Sequence, residues 1–320
     1  MRTMVTGGAG FIGSCLVDRL MAEGCQVDVV DDLSSGSLAN LSGARMEGGS
    51  KFGFHQMDIR SSEMVDLIAL KRPEVIFHLA AQANVRHSVE RPVFDAEVNI
   101  TGTLRVLEGA RSSGVTRVVF AASGGTLYGE PGDADLPITE TCAHHPLSPY
   151  GVSKKAGIDY LEAFRCLYGI DYCALALANV YGPRQDPHGE AGVIAIFAER
   201  LLKHQPLTIY GDGGQTRDFV FVDDVVDAFV KAGHTGGGRI VNIGTGHEVS
   251  VNKLAGMMMR AASVDVAPVY APERPGELRR NALDPALASE HLGWYPWTEL
   301  ESGVSQVVEY FRESNLLQGR

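Results

Sequence analysis

The 320-residue chain has no CxxC pair and only five cysteines, Cys15, Cys25, Cys142, Cys166 and Cys173. An odd, scattered set argues against a disulfide framework or a zinc site, and fits a reducing compartment. No apolar run approaches the ~20 residues that span a bilayer. The segment Met1-Arg2-Thr3-Met4-Val5-Thr6 runs straight into a glycine turn and leaves no room for a signal peptide. A cytoplasmic location is therefore expected. Basic runs are also missing: 28 Lys and Arg face 39 Asp and Glu, a formal net charge of −11. That disfavours nucleic acid and anionic membranes as partners. A polyanionic ligand would have to be met by local Arg and Lys. What is present, 45% hydrophobic and 21% charged residues, is an ordinary globular composition. The length allows one large domain or two that share a cleft.

Strand and helix signals alternate from the start. Strands are expected at 3–6, 26–31, 52–57, 74–79, 117–122 and 171–177. Helices are expected at 11–23, 61–70, 94–113 and 150–168. Alternating βα units of this length predict an α/β fold with a doubly wound parallel (Rossmann) sheet. After Asn179 the pattern loosens: a helix at 192–203, short strands near 207–210 and 217–222, then helices near 223–233, 250–262 and 300–313. The reading is a dinucleotide domain over 1–178 and a smaller, interleaved substrate domain over 179–320. The apolar strand 219–222 is a candidate to rejoin the first domain.

Three motifs follow one another in the order that nicotinamide-dependent redox chemistry needs. Gly7-Gly8-Ala9-Gly10-Phe11-Ile12-Gly13 sits between a strand and a helix. One Gly makes the turn, one lets backbone approach a pyrophosphate and one packs helix on strand. Asp31 ends the second strand, followed by Asp32, Leu33, Ser35 and Gly36. A carboxylate there accepts ribose hydroxyls and repels a 2′-phosphate, and no Arg lies in 31–44, so NAD is expected rather than NADP. Asp58 and Ile59, the segment Leu79-Ala80-Ala81-Gln82, Asn99, the strand ends Ala121 and Ala122, and Leu177 are assigned to the same cofactor side. Asp58 is a candidate cap for the adenine amino group. Asn99 reads equally well as a structural helix residue.

Tyr150-Gly151-Val152-Ser153-Lys154 puts Tyr150 and Lys154 on one helix face. A nearby ammonium and a positive nicotinamide ring are expected to lower the phenol pKa and make Tyr150 a general base. Ser123-Gly124-Gly125-Thr126 supplies a hydroxyl for the reacting oxygen, with Thr126 first and Ser123 second.

With these motifs in place, the chain resembles the extended short-chain dehydrogenase/reductases and, within them, the bacterial UDP-glucose 4-epimerases. The likeness extends through His78-Leu79-Ala80-Ala81-Gln82, Ser148-Pro149-Tyr150, Asn179-Val180-Tyr181-Gly182-Pro183-Arg184, Tyr210-Gly211-Asp212-Gly213, Thr216-Arg217-Asp218-Phe219 and Arg274-Pro275-Gly276-Glu277. The resemblance implies that Asn179, Arg217 and Arg274 hold a diphosphate, Arg through its planar donor fork. It also implies that Gly192, Val193, Thr208, Ile209 and Tyr210 line the uridine and ribose, with Glu277 and Asn281 near the sugar. A residue four places after Glu277 faces C2 of the hexose in such enzymes. Asn281, much smaller than Tyr, would admit N-acetylated sugars, unless it is only a surface residue. Gly124 departs from the family's run of three serines and leaves the sugar hydroxyl to Thr126.

The implied reaction is C4 epimerisation through a 4-keto intermediate, with NAD regenerated each turnover. Tyr150 would take and return the proton of the 4-hydroxyl while the hexose turns about its diphosphate. A 4,6-dehydratase is disfavoured because Leu127, rather than Asp-Glu, follows Thr126. A UDP-glucuronate 4-epimerase is disfavoured by Asp186 and Glu190. A catalytically silent NAD-binding regulator is the alternative outside enzymes. A homodimer is implied through helices 94–113 and 150–168, with Leu104, Leu107, Leu161 and Phe164 as apolar positions.

Overall fold

The computed structural model describes residues 1–132, 135–188, 192–235, 237–274 and 278–318, with side chains to 314. Its strands are β1 (Arg2–Thr6), β2 (Gln26–Asp31), β3 (Phe52–Gln56), β4 (Val75–His78), β5 (Arg117–Ser123), β6 (Asp171–Leu177), β7 (Asn179–Tyr181), β8 (Thr208–Tyr210), β9 (Thr216–Arg217), β10 (Phe219–Phe221), β11 (Arg239–Ile243), β12 (Val249–Ser250) and β13 (Val269–Ala271). Seven of them form one sheet in the order β11-β6-β5-β4-β1-β2-β3, and every pairing within it is parallel. The winding reverses between β1 and β4, which opens a crevice beyond their carboxyl ends. Strands buried on both faces read as apolar runs, such as the core residues Met4, Val5, Val27, Val29 and Val30.

The helix Pro149–Tyr168 carries the Tyr-x-x-x-Lys pair, and its ends follow from sequence. Ser148 Oγ accepts from the Gly151 amide at 3.1 Å, and Pro149 opens the helix. Gly169, at φ +72, closes it and returns its amide to the Arg165 carbonyl. The helix expected over 94–113 is three pieces: Pro92–Ala96, a π-turn over Glu97–Thr101, and Gly102–Ser113. A π-turn inserts one extra residue per turn and re-aims a side chain; here that side chain is Asn99.

The strand at 219–222 does not rejoin the main sheet. The open edge of β6 is taken by β11, a strand the sequence reading missed, and β10 pairs instead with β7. Two of the four apolar positions assigned to a dimer face also lie elsewhere. Leu107 and Leu161 are buried in the core, because helical periodicity identifies an apolar stripe without saying which neighbour covers it. Among the described residues no helix is long and apolar enough to cross a membrane.

Candidate active site

The crevice begins at the glycine turn. Gly7 has φ +71, and a Cβ there would stand 2.7 Å from the Ala80 amide nitrogen. A Cβ on Gly13 would collide with the Gly7 carbonyl. At Gly10 a Cβ would meet only the Gly7 carbonyl oxygen within 4 Å. The helix Phe11–Ala22 starts there with no side-chain cap and no acidic residue in its first turn, so its amides face open space suited to an anion. Phe11 and Ile12 are half-buried on this turn.

Asp31 is buried and braces the turn: its carboxylate accepts from the Ala9 and Leu33 amides, each at 2.9 Å. Burial raises its pKa. Asp32 is exposed and accepts from the Ser34 amide, while Ser35 is exposed and Gly36 lies against Asp31. The Asp58 carboxylate is gripped by Arg60, which holds its pKa below the usual range. The same guanidinium lies within electrostatic reach of Asp32. A cation thus stands beside this pocket from outside the 31–44 segment, already paired with Asp58. Ile59 is packed under Gly102, and Ala122 and Leu177 are buried at the strand ends. Leu79, Ala80, Ala81 and Ala121 are half-buried along the crevice. The uncapped helix, the glycine cradle and the carboxylate at the β2 end fit a dinucleotide.

Tyr150 and Lys154 meet at the next strand ends. Gly151 lets their helix press on the Ser123–Thr126 turn, since a Cβ there would stand 2.6 Å from the Thr126 carbonyl. Lys154 is buried, with its Nζ 4.7 Å from the Phe120 ring centroid and 5.8 Å from that of Tyr150. Burial lowers its pKa to about 8, partly offset by the charge of Asp95. The Tyr150 hydroxyl hydrogen-bonds with Ser123. Thr126 Oγ1 is buried and has no partner.

The expected lowering of the Tyr150 phenol pKa rests on the ammonium and the nicotinamide ring acting together. The phenol pKa of Tyr150 lies above its ordinary value: desolvation raises it, Asp95 raises it further, and the Ser123 hydrogen bond only partly opposes them. Lys154 does not reverse that balance, so a phenolate at neutral pH needs further positive charge beside the ring.

Beneath this pair runs a polar network. Asn99 Nδ2 donates to Asp95 Oδ1 at 3.0 Å, to the Gln82 carbonyl at 2.9 Å and to Ser153 Oγ at 3.2 Å, while Asn99 Oδ1 accepts from the Gln82 amide at 2.9 Å. Gln82 Nε2 donates to Asp95 Oδ1 at 3.0 Å. Sequence reasoning missed Asp95, a fully buried carboxylate. Its signal was an acidic residue four places before Asn99, at the spacing that puts both on one helix face.

The remaining assigned residues lie on the short sheets. Asn179 starts β7 opposite Phe219, and Arg217 sits on β9 opposite Val249, donating to the Thr216 carbonyl at 2.7 Å. The Arg274 guanidinium stacks 3.6 Å from the Tyr210 ring centroid. Arg274, with Arg86 and Arg200 further off, holds the Tyr210 phenol below its ordinary pKa. Arg86, on the short helix Val85–Glu90, was not anticipated. Thr208 accepts from Arg200 at 2.8 Å, whereas the Ile209 side chain is in the core. Gly192 precedes the helix Val193–Leu202 and packs on Gln185. Asn281 is fully buried rather than a surface residue, and both its side-chain polar atoms lack partners. Glu277 lies outside the described residues.

The whole arrangement has relatives. UDP-glucose 4-epimerase of Mycolicibacterium smegmatis is 51% identical over 98% of this chain and 100% of its own. The crystal structure of UDP-glucose 4-epimerase from Thermotoga maritima with UDP-glucose superposes at TM-score 0.94 and 46% identity, covering 98% of this chain and 100% of that one. The Thermus thermophilus UDP-glucose 4-epimerase complex with NAD does so at 0.90 and 42%, covering 98% and 99%. Residues 3–244, which carry the glycine turn, the Tyr150–Lys154 helix and the seven-stranded sheet, match the NAD dependent epimerase/dehydratase family, and the chain belongs to it.

Proposed function

We propose that this protein is an NAD-dependent UDP-hexose 4-epimerase that interconverts UDP-glucose and UDP-galactose through a 4-keto intermediate. The observation that carries this reading is the unpartnered Thr126 hydroxyl beside the Tyr150–Lys154 pair, in a chain half identical, end to end, to a UDP-glucose 4-epimerase.

The coenzyme would be held by the Gly7–Gly13 turn, Asp31 and the residues beyond β3, β4 and β5. When bound, it supplies a hydride acceptor that gives the hydride back. The protein's own groups do the rest. Tyr150 accepts the proton of the 4-hydroxyl and returns it, and Thr126 and Ser123 hold the reacting oxygen. Lys154 keeps positive charge beside the tyrosine, which favours phenolate once the nicotinamide ring adds its own. Asn179, Arg217 and Arg274 anchor the diphosphate while the hexose turns. Residues 1–178 serve the coenzyme and 179–320 the sugar nucleotide, with β11 lent back to the first unit.

Asn281 supports a wider substrate range. A small residue with an unpartnered amide suits an N-acetyl carbonyl, so UDP-N-acetylhexosamines belong to the reading. A cytoplasmic homodimer is also part of it. The exposed Val93, Leu147 and Val152 flank a groove between the helices Pro92–Ala96 and Pro149–Tyr168, an apolar face suited to a second copy. Light scattering at micromolar concentration should return the dimer mass.

The deciding experiment is a coupled assay on UDP-galactose, UDP-N-acetylgalactosamine and UDP-galacturonate without added NAD. Turnover of UDP-galactose is expected. Bound NAD with no turnover on any of the three would overturn the reading in favour of an NAD-binding regulator.

A further inference from the structure

We propose that Asp95 is a positioning residue for the proton-transfer pair, supplying the buried negative charge that keeps Lys154 an ammonium. The inference rests on the epimerase reading of the site.

Asp95 is 1% exposed, in the short helix Pro92–Ala96 packed on the start of the Tyr150–Lys154 helix. Two amides, Asn99 Nδ2 and Gln82 Nε2, both at 3.0 Å, fix its Oδ1. Its Oδ2 is buried without a partner. A carboxylate fully removed from water and half satisfied is expensive unless an opposite charge answers it. The titratable and charged groups on the elements around it are Tyr150 and Lys154 toward the start of the packed helix, with Lys155 paired to Asp159 and Arg165 to Glu162 further along it, Arg86, His87 and Glu90 on Val85–Glu90, and Arg91 and Glu97 beside it in sequence. Of these, Lys154 is a buried cation.

The linkage runs through structure as well as charge. Asn99 bonds Asp95 and Ser153 together, and Ser153 Oγ donates to the Tyr150 carbonyl at 2.9 Å. The π-turn that aims Asn99 therefore ties the carboxylate to the helix turn that carries the tyrosine. The charge favours the ammonium and disfavours the phenolate.

The test is Asp95→Asn in the NAD-loaded protein. The amide oxygen can still accept from Asn99 and Gln82; the charge is lost, and an amide nitrogen takes the place of the unpartnered Oδ2. Tyr150 ionisation is read from phenolate absorbance, by difference from the same protein carrying Tyr150→Phe. It should move to lower pH by roughly half a unit or more. The alkaline limb of kcat/KM on UDP-galactose should move down with it, as Lys154 loses its proton sooner. A purely structural role would lower activity at every pH and leave both curves in place. An unmoved phenolate titration, or one moved to higher pH, overturns the proposal. Asp95→Ser, neutral and smaller, carries the same expectation should Asp95→Asn fail to fold. Inactivity of the wild type would sink the epimerase reading instead, and the phenolate titration would still decide the role of Asp95.

Discussion

Lys154 Nζ stands 4.7 Å from the centroid of the Phe120 ring, on the face that β5 turns toward the helix Pro149–Tyr168. An aromatic face attracts a desolvated ammonium by up to about 2 kcal/mol. Phe120 therefore helps keep charged a lysine that burial pulls to about 8. Lysine is charged below its pKa, so activity should fade as pH rises through that value. Phe120→Leu keeps the apolar bulk and removes the ring quadrupole. The alkaline limb of kcat/KM should move to lower pH, and an unchanged limb would show that the ring only packs.

Tyr150→Phe removes one oxygen and leaves the Lys154 pocket in shape. Epimerisation should fall by on the order of 10²–10⁴, with NAD still recovered from the purified protein. A variant that keeps more than a few per cent of activity would take the proton transfer away from Tyr150.

His78 gives a stability prediction. It is fully buried, bridging Thr6 Oγ1 at 2.7 Å and Thr103 Oγ1 at 3.0 Å. Burial, aided by the Lys154 charge, lowers its pKa from 6.5 to about 3. Between those values the unfolded chain binds a proton that the folded chain refuses, so stability falls as pH drops through this window. The slope approaches about 1.4 kcal/mol per pH unit. His78→Gln should lose that slope, and urea unfolding at pH 7 and pH 5 should bring variant and wild type closer by roughly 2 kcal/mol. A constant difference at both pH values would assign the acid sensitivity to other groups.

Gly7→Ala would force a Cβ into a left-handed position 2.7 Å from the Ala80 amide. The strain should cost more than about 1 kcal/mol and weaken NAD retention, measured by the nucleotide released on denaturation. Full occupancy with unchanged stability would show that β1 and β4 can part without harm.

Much of this was legible because local chemistry decided it. The helix at 149–168 follows from Ser148, Pro149 and Gly169, and the glycine turn from its own spacing. What escaped depends on distant partners. β11 is a short run whose place is set by the free edge of β6, more than sixty residues earlier. The π-turn at Glu97–Thr101 runs on from helical backbone at Ala96 into helical backbone at Gly102, with no side-chain cap to mark it. The raised phenol pKa of Tyr150 comes first from burial and then from Asp95, on another helix. Leu107 and Leu161 read as a free apolar face because a sequence does not say which stripe is already covered.

Asn281 carries the prediction about substrate range. It is 1% exposed, with neither its amide nitrogen nor its carbonyl oxygen partnered. Its segment is anchored beside the hydroxyl turn: the Ala282 carbonyl accepts from Ile138 at 2.8 Å, and Leu283 packs against Gly124. Two unsatisfied polar atoms in the interior cost free energy that a bound polar group would recover. Tyr at this position would fill the space an acetamido group needs, and overlap is not relaxed cheaply in a packed site. Asn281→Tyr should therefore lower the specificity constant for UDP-N-acetylgalactosamine relative to UDP-galactose by about tenfold or more. Asn281→Ser, small and polar, should leave that ratio near the wild-type value and shows that the site tolerates substitution. If Tyr and Ser give the same ratio, Asn281 does not set the room at C2, and its unpartnered amide must be answered by some other group.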